Sequence, residues 1–152
     1  MGLDCYLNAR KYVSPYTDEE FSGKLNELTE SITGWKAKEI VFEVGYWRKA
    51  NAIHNWFVRN VQEGVDDCKE YHVDYDSIVT LYNFVCEVLE NREKAEELLP
   101  SASGFFFGST EYDEYYFGDL EDTKNMLKPL VEMIDSKDDS IFEFDFYYRA
   151  SW

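Results

Sequence analysis

The sequence predicts an α+β fold, a small, mainly antiparallel sheet of about three strands with helices packed on one face. Three observations predict it. Polar and apolar residues alternate strictly near both ends of the chain and again around residues 39–46. Apolar stripes at helical spacing fill the stretches between. With 152 residues, 45% of them hydrophobic and 18% aromatic, the chain suffices for one core, so residues 1–152 read as a single domain.

The elements follow in order. Leu3, Cys5, Leu7 and Ala9 face one way and Asp4, Tyr6, Asn8 and Arg10 the other, as in a half-buried strand ended by Ser14-Pro15. Thr17 with Glu20 forms a capping box for a helix whose stripe is Phe21, Leu25, Leu28 and Ile32, stopped by Gly34. A second strand places Ile40, Phe42, Val44 and Tyr46 on one face and Glu39 and Glu43 on the other. From Trp47 to Gln62 the period turns helical, through Ala50, Ile53, Phe57 and Val61, and Gly64 closes it. Asp74 or Asp76 caps the next helix, which carries Ile78, Leu81, Val85 and Val88. A short helix ends at Pro100, and Phe105–Phe107 form a brief strand or a buried plug. Residues 119–134 read as a helix, with Pro129 as a kink or a start. The last strand alternates Phe142, Phe144, Phe146 and Tyr148 with Glu143, Asp145, Tyr147 and Arg149.

Charge excludes some functions. Against 31 acidic residues stand 15 Lys and Arg, a formal net charge of −16. Direct binding to a nucleic-acid backbone needs clustered cations and is not expected. Three cysteines without a CxxC argue against a disulfide framework or a zinc site. Neither a signal peptide nor a long apolar run is visible, so the expected setting is a reducing cytoplasm with no membrane contact. GxSxG, P-loop, GxGxxG and HExxH patterns are absent, and no cofactor or metal is expected.

One stretch departs from the acidic background. Residues 44–62, VGYWRKANAIHNWFVRNVQ, contain no Asp or Glu but hold Arg48, Lys49, His54 and Arg59. Cations at a helix start oppose the macrodipole by about 0.3–1 kcal/mol each, so something must compensate. One answer is an anionic ligand at the free N–H groups of that helix start, held by Arg48 and Lys49, with Tyr46 or Trp47 stacking on a base. Asn51, Asn55 and Arg59 would continue that face, with His54 near it. The plainer answer pairs both cations with the chain's own acids and puts Trp47 and Trp56 in the core. A lone histidine among apolar residues is more often a hydrogen-bonded structural group than a catalyst.

The counterpart is residues 105–122, FFFGSTEYDEYYFGDLED, with six acids, seven rings and no cation. It reads as a solvated surface, as a mimic of nucleic-acid phosphates, or as a wall facing the basic stretch across a polar pocket. In the last case Tyr112 and Asp113 join the site, and Arg149 at the end of the final strand is within reach.

The runs GYWRKANAIHNWFV, GVDDC, LLPSASGFFFGSTEYDEYYFGDLEDT and FYYRASW resemble a family of small phage and prophage proteins of unassigned activity. The resemblance covers most of the chain from Gly45 onward. It implies a phage origin, a host cytoplasm setting and a role against host defence, by binding a host protein or sequestering a nucleotide signal. The resulting expectation is a non-enzymatic binder of an anionic, nucleotide-type small molecule through Tyr46, Trp47, Arg48, Lys49, Asn51, His54, Arg59, Tyr112, Asp113 and Arg149. The alternatives are an acidic inhibitor of a host defence protein and a hydrolase built on His54 and a carboxylate. Homo-oligomer formation is left open.

Overall fold

The computed structural model describes residues 2–14, 16, 19–30 and 35–152. Four strands, β1 (Asp4–Tyr12), β2 (Glu39–Arg48), β3 (Glu70–Val73) and β4 (Asp145–Ser151), form one antiparallel sheet in the order β2-β1-β4-β3. Five α-helices accompany them among the described residues: α1 (Glu19–Glu30), α2 (Asn51–Asn60), α3 (Tyr75–Glu90), α4 (Ala95–Leu98) and α5 (Glu114–Asp135). The α+β expectation holds. The strand missed by sequence is β3, whose four residues EYHV are too short for alternation to stand out.

In β1 the alternation is as read. Leu3, Cys5, Leu7 and Ala9 are buried beneath the helices, and Asp4, Tyr6, Asn8 and Arg10 face outward. The inner face joins Ile53 and Phe57 of α2, Ile78, Leu81, Val85 and Val88 of α3, and Leu120, Leu127 and Val131 of α5 in one hydrophobic cluster. Asp74 caps α3, its carboxylate accepting from Ser77 N–H at 2.6 Å. The Thr17 cap, Ile32 and the Gly34 stop predicted for the first helix, and Pro15, lie outside the described residues.

Three expectations are corrected. β2 does not end near Gly45; it continues through Arg48, and α2 begins only at Asn51. The reason is a β-bulge: Leu7 faces Gly45 and Asn8 faces Glu43, leaving Val44 as the extra residue. A bulge shifts the alternation by one position. Tyr46 therefore turns outward and Trp47 inward, opposite to a regular strand. Gly45 permits this, since a Cβ there would sit 2.8 Å from the Trp47 ring.

Second, α5 starts five residues before Asp119, capped by Asp113, whose carboxylate accepts from the N–H groups of Tyr115 (3.0 Å) and Tyr116 (3.1 Å). Gly118 sits inside the helix. Pro129 is likewise interior to α5 and does not start it. Third, Phe142 belongs to a short 3₁₀ turn (Ile141–Glu143), and β4 runs from Asp145 to Ser151. Phe105–Phe107 form no strand; Phe107 is the buried plug and Phe105 is exposed.

Candidate functional site

Two polar constellations flank α2, and they differ in whether their hydrogen-bonding groups have partners. The first is inside. His54 is 1% exposed; its Nδ1 lies 2.7 Å from the Tyr148 hydroxyl and its Nε2 3.0 Å from Asp66 Oδ1. The Cys5 thiol is hydrogen-bonded to the same hydroxyl. A neutral imidazole with its proton on Nε2 satisfies both contacts: it donates to Asp66 and accepts from Tyr148.

Burial lowers the His54 pKa, while the Asp66 charge and hydrogen bond pull it back up. Burial pushes the Cys5 thiol up to about 12, keeping it protonated, and raises the Tyr148 phenol as well. Phe57 stacks on Tyr148 at 3.8 Å and 8°, and Phe107 and Trp152 lie against the imidazole. An acid, an imidazole, a hydroxyl and a thiol in series suggest a nucleophilic relay. Its thiol and phenol are fully buried and held neutral, so no substrate reaches them and no nucleophile forms.

The second constellation is open. A cleft of about 380 Å³ is walled on one side by Arg48, Lys49, Ala50, Asn51, Ala52 and Ile53. Gly108, Ser109, Glu111 and Asp113, with Tyr115, Tyr116, Asp119 and Leu120 of α5, complete it. The volume lies in the range of small-molecule sites. The basic stretch and the acidic aromatic stretch thus meet across one pocket.

The backbone at the β2–α2 junction makes the cationic wall. Lys49 adopts a left-handed conformation, φ 61°, uncommon for a lysine, and its N–H donates to the Leu3 carbonyl at 2.8 Å. No side chain caps α2. The Lys49 carbonyl accepts from Asn51 N–H and the Ala50 carbonyl from His54 N–H. Among the described residues the N–H groups of Ala52 and Ile53 have no acceptor, and neither Arg48 nor Lys49 forms an ion pair. An uncapped helix start thus lies beside two cations without an ion pair among the described residues, and free N–H groups there favour negative charge.

The opposite wall is held by a relay from the core. Trp47 Nε1 donates to Thr123 Oγ1 at 2.8 Å, and that hydroxyl donates to the Asp119 carbonyl at 2.6 Å. Asn51 braces the loop between them: its Nδ2 donates to the carbonyls of Phe107 (3.1 Å) and Ser109 (2.7 Å), and its Oδ1 accepts from Ala102 N–H (3.1 Å). Gly108, at φ 86° and packed against Lys49, makes the turn of that loop.

Of the ten residues predicted for the site, Arg48, Lys49, Asn51 and Asp113 line the cleft. Asn51 is committed to the loop and Asp113 to its cap. Trp47 is buried beneath the cleft, not available for stacking, and His54 points into the core. Tyr46 lies on the outer sheet face, donating to Asp4 at 2.6 Å. Arg149 is on that same outward face, in register with Tyr6 and Glu70, and does not approach the cleft. Tyr112 accepts weakly from Ser101 N–H at 3.3 Å, with its ring against Tyr116. Arg59 borders a separate recess with Asn55, Trp56 and Glu97. The plainer reading therefore holds for both tryptophans and fails for Arg48 and Lys49.

Glu111, Tyr115, Tyr116 and Asp119 were missed as site residues. Their signal was Asp113 as an N-cap: a helix begun there puts Tyr115 and Asp119 on one face, four residues apart. Among the described residues no group of three or more His, Cys, Asp or Glu side chains is placed to hold a metal ion, and no helix is long and apolar enough to cross a membrane. No protein family, no curated protein and no solved structure matches this chain.

Proposed function

We propose that this protein is a non-enzymatic binder that captures an anionic, nucleotide-type small molecule in the cleft between the β2–α2 junction and α5. One observation carries the reading: Arg48 and Lys49 stay without an ion pair, among the described residues, in a chain with 31 acids, beside an uncapped helix start. The anion takes the Ala52 and Ile53 N–H groups and the two side-chain cations, and the exposed ring of Tyr115 offers a stacking surface. With the phage resemblance, the fitting biological role is counter-defence in the host cytoplasm by sequestering a nucleotide signal.

The test is a thermal-shift panel of linear and cyclic nucleotides and ADP-ribose. At a ligand concentration about 100 times Kd the gain is about 2.7 kcal/mol, and each kcal/mol raises Tm by roughly 2–4 °C at this size. Arg48→Ala with Lys49→Ala must remove the shift; a panel without any shift rejects the reading.

A second reading has its own observation. Tyr115 is 85% exposed beside Glu114 in sequence, and Phe105, in the same acidic aromatic stretch, is 92% exposed, features that suit a basic site on a host protein. Such binding would weaken steeply with salt and would ignore the Arg48 and Lys49 substitutions.

A further inference from the structure

The cleft also has an acceptor without a donor. Asp119 lies in α5 and lines the cleft; its backbone carbonyl is taken by Thr123, but among the described residues its carboxylate receives no hydrogen bond and no ion pair. Burial, with the charges of Asp122 and Asp113 acting in the same direction, pushes its pKa to about 6. A half-buried carboxylate ordinarily collects donors. Donors that border the same cleft, Arg48, Lys49 and the Ala52 and Ile53 N–H groups, make no hydrogen bond or ion pair with it. Asp122 and Asp113 set like charge against it, and Glu111, Tyr115 and Tyr116 line the same cleft.

If a plain anion were the ligand, these carboxylates would only repel it. Unmatched donors and an unmatched acceptor in one cleft call for a ligand that supplies both complements. We propose that Asp119 is the specificity-determining acceptor of this cleft, selecting anions that also carry hydroxyl or amino donors, such as a phosphodiester joined to a ribose, over anions that carry none. This rests on the anion-binding reading above and adds the class of ligand. The ionised carboxylate accepts the sugar diol or an amino edge. Once protonated it loses that acceptor strength and also its repulsion of anions, so the two probe classes respond to pH with opposite sign.

The experiment compares sulfate, which has no donor, with ADP-ribose, which has diols, by calorimetric titration between about pH 5 and pH 8, where neither anionic group titrates. In the wild type, ADP-ribose binds more tightly than sulfate, and the preference grows as pH rises through about 6. Asp119→Ala weakens ADP-ribose by about tenfold or more and tightens sulfate. Asp119→Asn, of nearly the same shape, keeps the fold, loses part of the preference and flattens its pH dependence. Sulfate and ADP-ribose moving in the same direction on substitution, or a preference independent of pH, overturns the inference while leaving the anion cleft standing. Failure of both probes and of the nucleotide panel to bind the wild type overturns the cleft itself, and this inference with it.

Discussion

The two sides of α2 make a controlled contrast. Toward the sheet, His54, Tyr148, Asp66 and Cys5 form a chain in which each polar group has a partner and the ring is 1% exposed. At the N-terminus of the same helix, Arg48, Lys49, two backbone N–H groups and the Asp119 carboxylate share a cleft without satisfying one another. A satisfied buried network specifies structure. The groups around the cleft lack protein partners and meet solvent instead, so they contribute little to specifying the fold. The contrast separates a histidine held by its partners from cations that have no ion pair among the described residues.

The largest expected effect breaks the satisfied side. His54→Ala leaves the Tyr148 hydroxyl and Asp66 without their partner and opens a cavity; a loss of about 3 kcal/mol is expected by chemical denaturation. Affinity for cleft ligands should change little if the two sides are independent.

Asn51→Ala comes next, because Asn51 belongs to both sides: it is buried yet braces the cleft loop through three hydrogen bonds. About 2 kcal/mol of stability should go, and ligand affinity should fall with it. A stability loss with unchanged affinity would show that the loop does not shape the site.

Acidification separates the sides by sign. The His54 pKa is lowered by folding, so its contribution is present above the unfolded value of 6.5 and fades as pH falls below it. The Asp119 pKa is raised from 3.8 to about 6, so its ionisation costs stability that builds up between those two values, is complete above about 6, and vanishes on acidification below 3.8. Asp119→Asn should therefore stabilise at neutral pH by about 1 kcal/mol, less than the full linkage value because the carboxyl still meets solvent. The gain should fall by about half near pH 5 and vanish only below the unfolded value of 3.8. Thermal melts of both proteins across this window check it; a gain that persists at low pH contradicts it.

The smallest stability effect belongs to the pair that matters most for binding. Arg48→Ala with Lys49→Ala should shift stability by no more than about 0.5 kcal/mol, since neither cation has an ion pair to lose among the described residues. A large loss on denaturant unfolding would assign them a structural role and erase the contrast.

How much of this the sequence carried depends on the range of the signal. Local periodicity sufficed for β1, for α3 with its Asp74 cap, and for the apolar stripe of α2. It failed where one residue changes phase. The bulge at Val44 is invisible without its partner strand, and through it Trp47 moved inward while Tyr46 moved outward. Gly118, with open space around it, masked the first turn of α5, and with it Asp119 as a cleft residue. Half of the cleft was legible as composition, because an acid-free run in so acidic a chain is conspicuous. The other half read as surface charge, since only tertiary structure brings Asp119 opposite Lys49. Asp66, the partner of His54, carries no local signal for the same reason.

The strand order has a consequence in time. β1 with β2 and β3 with β4 are pairs of strands consecutive in sequence, and the central pair, β1 with β4, joins the two arms across most of the chain. During synthesis the helices and the β1–β2 arm are available early, but Leu3, Cys5 and Leu7 wait for Phe146 and Tyr148 to complete their layer. Such long loop closures slow folding to the millisecond-to-second range and prolong exposure of an apolar strand edge. The strong negative charge then acts during assembly: it keeps half-made chains apart until the last strand arrives.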